Sequence, residues 1–207
     1  MNMAVFFQKH ENKIIVAIFK KLYMFCRCRS NAGKIRYLRQ CGAKIGEGCY
    51  IASISMLGSE PYLVEIGDGT CITGFSTKIL THDGSASRLS YMGLTPNKYD
   101  YFGKVKIGKN CFIGFNSIIM KNVCIGDNCI IGAGSVVTKS IPANSVACGV
   151  PARVICTVEE YFEKNHERFD ETLRWNKYKK RQYIEENMAK YDAWLMESIE
   201  KASVQKN

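Results

Sequence analysis

The chain has 207 residues, 46% of them hydrophobic and 23% charged, with ten cysteines and a formal net charge of +10. That is long enough to bury a substantial core, and the composition excludes a collagen-like or broadly disordered chain. The cysteines do not suggest a small disulfide-stapled secreted domain, and Cys26 and Cys28 lack the second pair that a zinc site would need, so no metal is expected and the thiols are read as reduced and mostly structural, with no role assigned to Cys26, Cys28, Cys41, Cys148 or Cys156.

The charge divides the chain into three parts. Residues 1–44 carry ten Lys/Arg against Glu11 alone, residues 45–156 carry nine against seven acids, and residues 157–207 carry ten against eleven. The first part reads as a basic helical segment. Ile14, Ile18, Leu22 and Phe25 recur at helical spacing over residues 13–28, with Lys13, Lys20 and Arg27 on another face. Such a helix either docks on the protein or lies on an anionic membrane surface through residues 1–30. The apolar run from Ile14 to Phe19 stops at Lys20 and Lys21, too short to span a bilayer and without a following signal-cleavage site, so the expected location is cytoplasmic, with a peripheral position at the inner face of the cell membrane as a further option.

The middle part, 45–156, is governed by a six-residue period. From Ile107 the chain reads IGKNCF, IGFNSI, IMKNVC, IGDNCI, IGAGSV, VTKSI, and an aliphatic residue leads each hexad: Ile107, Ile113, Ile119, Ile125, Ile131 and Val137. Earlier runs begin at Ile45 and Ile66. The register slips between runs, so interruptions are expected around 57–65 and 79–105. Six is the period neither of a helix nor of an alternating strand. It fits short strands joined by turns into a three-sided coil, with the leading aliphatic inward and a small fifth residue at the corner. Coils stack at strand spacing, and each hides its neighbour's apolar side. Cys49, Cys111 and Cys129 fall at the fifth place and read as compact hydrophobes rather than reactive thiols. The fold class is therefore an all-β core, a parallel β-helix with helical appendages at both ends.

The last part, 157–207, reads as one or two helices, with Ile184, Met188, Tyr191, Leu195 and Ile199 in one stripe. Its aromatic residues could stack on bases, but a near-neutral segment is poorly suited to phosphate contacts, so no nucleic-acid partner is expected.

Of three histidines, only His82 lies in the repeat region, at the root of the insert 83–104. A loop histidine is ordinarily plain surface. Here a rigid coil delivers it to the base of a protruding loop, where an acceptor site belongs.

The segment from about 34 to 165 resembles the hexapeptide-repeat acyltransferases, and most of all those that O-acetylate capsular or lipopolysaccharide sugars. The matching pieces are GAKIGEGCYI, the THDGS around His82, FGKVKIGKNCFIGFNSII and IGAGSVVTKSIPANSVACGVPARVI. The resemblance implies a left-handed β-helix, acetyl-CoA as acyl donor, and a homotrimer with the donor in the groove between subunits. It implies that His82 is the general base, taking the proton of an acceptor hydroxyl as that oxygen attacks the thioester directly. Asp83 is expected to orient the imidazole or bind the acceptor, the alternative being an ordinary solvated loop aspartate. Ala133 and Gly134 match positions that let the pantetheine arm approach, and Thr138, Lys139 and Arg153 match positions near the nucleotide phosphates. Phe112, Phe115 and Cys156 depart from the galactoside and maltose acetyltransferase pattern. The acceptor is expected to be a sugar, nucleotide-bound, lipid-linked or polymeric, and Arg88, Tyr91, Tyr99 and Tyr101 in the insert suit a sugar ring or packing on another subunit equally well. Rival readings are N-acetylation of an amino sugar or an antibiotic, a zinc carbonic anhydrase on the same coil (which needs converging histidines that this chain lacks), and a non-enzymatic β-helix scaffold.

Overall fold

The computed structural model describes residue 28 and residues 30–204. The basic helix expected over 13–28 therefore lies, apart from Cys28, outside the described residues. The chain forms two compact units, one reaching to Glu163 and one beginning at Lys164.

The first unit is a three-sided parallel β-helix. Its first face stacks Lys44–Ile45, Val64–Ile66, Val105–Ile107 and Val123–Ile125. The second stacks Tyr50–Ile51, Cys71–Ile72, Phe112–Ile113, Ile130–Ile131 and Ser145–Gly149, and the antiparallel strand Ala152–Thr157 closes that sheet. The third stacks Lys78–Ile79, Ile118–Ile119 and Val136–Val137. The leading aliphatics pair in register, Ile66 with Ile107 and Ile107 with Ile125, Ile72 with Ile113 and Ile113 with Ile131, Ile79 with Ile119 and Ile119 with Val137. All are essentially inaccessible, so the core is a column of Ile and Val whose branched side chains suit the pleated interior. In the first coil a 3-10 turn, Ile54–Leu57, takes the place of a third-face strand and buries Met56 and Leu57.

The corners explain the small fifth residues. Cys49 Sγ donates to Gly67 O at 3.1 Å, Thr70 Oγ1 to Gly108 O at 2.7 Å, Cys111 Sγ to Gly126 O at 3.0 Å and Cys129 Sγ to Pro142 O at 3.0 Å. Each acceptor belongs to the following coil. These cysteines are thus more than compact hydrophobes: they do the same corner work as Thr70, supplying a donor to a carbonyl that no ladder bond reaches. The turn beside them needs a left-handed residue, which Gly48, Gly69, Asn110 and Asn128 supply. The asparagine amides continue the ladder, Asn110 to Asn128 at 3.3 Å and Asn128 to Asn144 at 2.9 Å.

Helix α1, Asn31–Gln40, closes the start of the coil. Ser30 caps it by accepting the Gly33 N–H, and Leu38 is buried against the first turns. The Asn31 side chain acts as one strand residue would: its amide donates to Cys49 O at 2.7 Å and its carbonyl accepts Ile51 N–H at 2.9 Å.

After the last strand, helix α2 covers Val158–Asn165. Thr157 and Glu160 form a reciprocal cap, the carboxylate on Thr157 N–H and the hydroxyl on Glu160 N–H. The second unit contains α3, Lys177–Glu186, and α4, Met188–Val204. Asp170 joins them by accepting from Tyr183 OH, Lys190 Nζ and Tyr191 OH at 2.6–2.9 Å. Among the described residues, no helix is long and apolar enough to cross a membrane.

Candidate active site

His82 and Asp83 form a two-residue strand paired antiparallel with Tyr101–Phe102, the stem of the insert. Three residues earlier, Ile79 is locked into the core, which fixes the root of the stem. The imidazole is half exposed and tilted against the Phe102 ring, centroids 6.1 Å apart.

Its partner is Glu60. Glu60 Oε2 lies 2.9 Å from His82 Nδ1 and accepts Thr81 Oγ1–H at 2.8 Å, while Oε1 accepts Ser59 Oγ–H at 2.6 Å. The Ser59 hydroxyl, followed by His82 and Thr81, lowers the Glu60 pKa to about 2 against an opposing cost of burial. At neutral pH this carboxylate can only accept, so Nδ1 carries the hydrogen in that contact and Nε2 of the neutral ring keeps its lone pair. The arrangement can remove a proton from a hydroxyl placed at Nε2 and hold the imidazolium that results.

Asp83 is directed elsewhere. Its Oδ2 accepts from Lys121 Nζ at 2.8 Å and its Oδ1 from Ser85 N–H at 3.0 Å. These contacts, Lys121 first, hold its carboxyl far below the usual range. The carboxylate in contact with the His82 ring is Glu60 rather than Asp83, and the sequence alone does not single it out. The available signal was an acid inside the shorter interruption, in Ser59-Glu60-Pro61, at a place where the hexad rule expects none.

The donor-side positions bracket the third-face strand Val136–Val137. Before it, Ala133 and Gly134 form an exposed turn, with Gly134 at φ +70°, its N–H donated to Phe115 O at 2.7 Å, and open space where a side chain would stand. Such a turn admits a slender ligand against the backbone. After the strand come Thr138 and Lys139, both exposed. Lys139 and Arg153 line one cavity of about 260 Å³ with Ser140, Ile141, Ala152 and Val154. Two wider clefts of about 580 and 590 Å³, over the first face and beside α1, contain none of the expected residues.

The stacking relates the two halves. Leu80 N–H donates to Ile119 O and Met120 N–H to Val137 O, so the segments leading to His82, Lys121 and Lys139 leave the third face at one corner of successive coils. Thr81 and Lys139 are two coils apart, roughly 10 Å along the axis at strand spacing.

Residues 104–139 match the family described as bacterial transferase hexapeptide (six repeats). Protein CapG of Staphylococcus aureus is 41% identical over 171 residues, which cover 80% of this chain and 94% of that protein. Among solved structures, a maltose O-acetyltransferase from Clostridium difficile 630 is 26% identical, with 70% of this chain and 89% of that one covered and a TM-score of 0.48. A galactoside acetyltransferase in complex with coenzyme A is 25% identical, with 75% and 86% covered and a TM-score of 0.46. The hexad core, its stacked corners and the CapG relationship lead to one conclusion: this chain belongs to the bacterial hexapeptide-repeat transferases, whose fold is the left-handed parallel β-helix.

Proposed function

We propose that the protein transfers an acetyl group from acetyl-CoA to a sugar hydroxyl during the building of surface polysaccharide, with His82 as general base. The observation that carries this reading is the Glu60–His82 contact at 2.9 Å, which leaves Nε2 available at the root of the insert. His82 Nε2 takes the acceptor's proton while the acceptor oxygen bonds to the thioester carbonyl carbon. The carbon–sulfur bond then breaks, the thiolate of coenzyme A leaves, and the imidazolium returns the proton to it. Lys139 and Arg153 suit the nucleotide phosphates by charge, and the Ala133–Gly134 turn suits the pantetheine arm by its openness. Phe102 beside the imidazole and the exposed Tyr101 are apt platforms for a sugar ring.

A homotrimer with the donor between subunits accompanies this reading. It is supported by the second face, where Tyr50, Cys71, Phe112 and Ile130 occupy successive outward positions, and by Phe75 and Phe115 at its corner, 74% and 51% exposed. Peripheral membrane contact through residues 1–30 belongs to the same proposal and rests on the charge of that segment. It is tested by vesicle sedimentation with and without residues 1–30.

The direct test is thiol release from acetyl-CoA against a panel containing maltose, a galactoside, UDP-N-acetylglucosamine and glucosamine, with the product mapped by mass spectrometry. His82→Ala should fold and bind coenzyme A but lose at least ~100-fold in turnover. Full activity in that variant rules out the base, and modification of the amine alone rules out ester formation.

A further inference from the structure

Lysine side chains usually trail in solvent. Lys121 is 12% exposed, and it joins both strands of the insert's stem. Its Nζ lies 2.8 Å from Asp83 Oδ2 on one strand and 4.1 Å from the centroid of the Tyr101 ring on the other. Asn122, next in the same turn, donates its side-chain amide to Tyr101 OH at 3.3 Å and its backbone N–H to Lys104 O at 2.9 Å. The turn that follows strand Ile118–Ile119 in the next coil therefore grips the stem on which His82 sits.

The stem needs that grip. It has only two residue pairs, His82 with Phe102 and Asp83 with Tyr101, and beyond it the insert makes turns and one 3-10 segment, Ala86–Arg88, with most side chains exposed. A hairpin that short does not hold itself in one place. A cation between a carboxylate and an aromatic face supplies two attractions at once, little screened because the ammonium is mostly covered.

We infer that Lys121 is a positioning residue: through Asp83 and Tyr101 it latches the insert to the coil and so holds His82 and the acceptor-side loop in register. The inference rests on the proposed reaction for its consequence in turnover, but the latch itself can be read without turnover. Lys121 shares a corner with Lys139, but its ammonium is already held by Asp83, so the donor is left to Lys139 and Arg153.

The test compares Lys121→Met, Lys121→Arg, Asp83→Asn and the Lys121→Met/Asp83→Asn pair with the parent protein. Two readouts need no substrate: the rate of trypsin cleavage after Arg88 and Lys98, and hydrogen exchange of the 84–102 segment. Lys121→Met should quicken both while the melting temperature of the coil stays close to that of the parent. With the best acceptor of the panel, kcat/KM should fall about 10- to 100-fold, the scale of a small misplacement, with the KM for acetyl-CoA changed less than about twofold. Lys121→Arg should recover most of the loss, and the double variant should be no worse than either single one. Unchanged proteolysis and exchange in Lys121→Met overturn the latch, as do additive losses in the pair or a rise confined to the KM for acetyl-CoA. If the substrate-free readouts respond while His82→Ala keeps full activity, the proposed reaction fails and the latch stands.

Discussion

Glu60 Oε2 and His82 Nδ1 meet at 2.9 Å although the residues belong to different interruptions of the hexad pattern, and Thr81 and Ser59 donate to the same carboxylate. The pair is held from both sides: Pro61–Leu63 forms a 3-10 turn directly after Glu60, and buried Ile79 anchors the strand toward His82. Glu60→Gln should keep the coil folded and the KM for acetyl-CoA unchanged, while kcat falls on the order of 100-fold because the amide no longer fixes the ring or balances the imidazolium. Steady-state kinetics with the best acceptor checks this, and a kcat within twofold of the parent would mean that the carboxylate is only structural.

The same carboxylate predicts a pH dependence of stability. Its pKa falls from 4.5 to about 2 on folding, so the ionised form is favoured in the native state. Its contribution is fully present above about pH 4.5 and is lost as pH falls through about 2. The melting difference between the parent and Glu60→Gln should therefore be largest near neutral pH and close between pH 4.5 and 2. Melts recorded at half-unit intervals decide it, and a constant gap would show that Glu60 is not ionised by its partners as described.

Lys139 and Arg153 share one cavity, and their separate removal should report on the same part of the donor. Lys139→Ala and Arg153→Ala should each raise the KM for acetyl-CoA about 10-fold or more, the scale of one charge-assisted contact, with little change in kcat. Repeating the measurement with 3′-dephospho-acetyl-CoA identifies the phosphate concerned. The penalty shrinks for the residue that meets the 3′-phosphate, and neither residue is a phosphate ligand if both variants bind both donors as the parent does.

The corner thiols give a test of the coil itself. Burial pushes the Cys111 thiol up to about 11, and its hydrogen is donated to Gly126 O. Cys111→Ser keeps a donor of similar size and should cost less than about 1 kcal/mol. Cys111→Ala leaves a buried carbonyl short of its partner and should cost about 1–3 kcal/mol. Chemical denaturation of the two variants separates them, and equal stabilities would reduce the thiol to a space-filler.

The coil was legible because a residue repeated at six-place intervals can satisfy only a structure that turns three times per eighteen residues. Ile107, Ile125 and their counterparts carry that information locally. His82 stands out in the sequence as the lone histidine among the repeats, and the structure puts it at the stem of the insert. Glu60 and Lys121 were not, because their roles depend on which coil lies above which. Glu60 reaches His82 across an interruption of unspecified length, and Lys121 looks like any turn lysine until Asp83 and Tyr101 are seen on either side of it. Asp83 shows the converse. Adjacency in sequence placed it with His82, yet in an extended strand successive side chains point to opposite sides.

Asn31 has a consequence for how the protein behaves at high concentration. A stack of identical rungs has no intrinsic reason to stop, and an uncovered first rung would welcome the last rung of another molecule, growing a fibre. One asparagine amide, carried by a capped helix, occupies the Cys49 carbonyl and the Ile51 N–H on the second face of that rung, and so removes two of the pairing groups that such a contact would use.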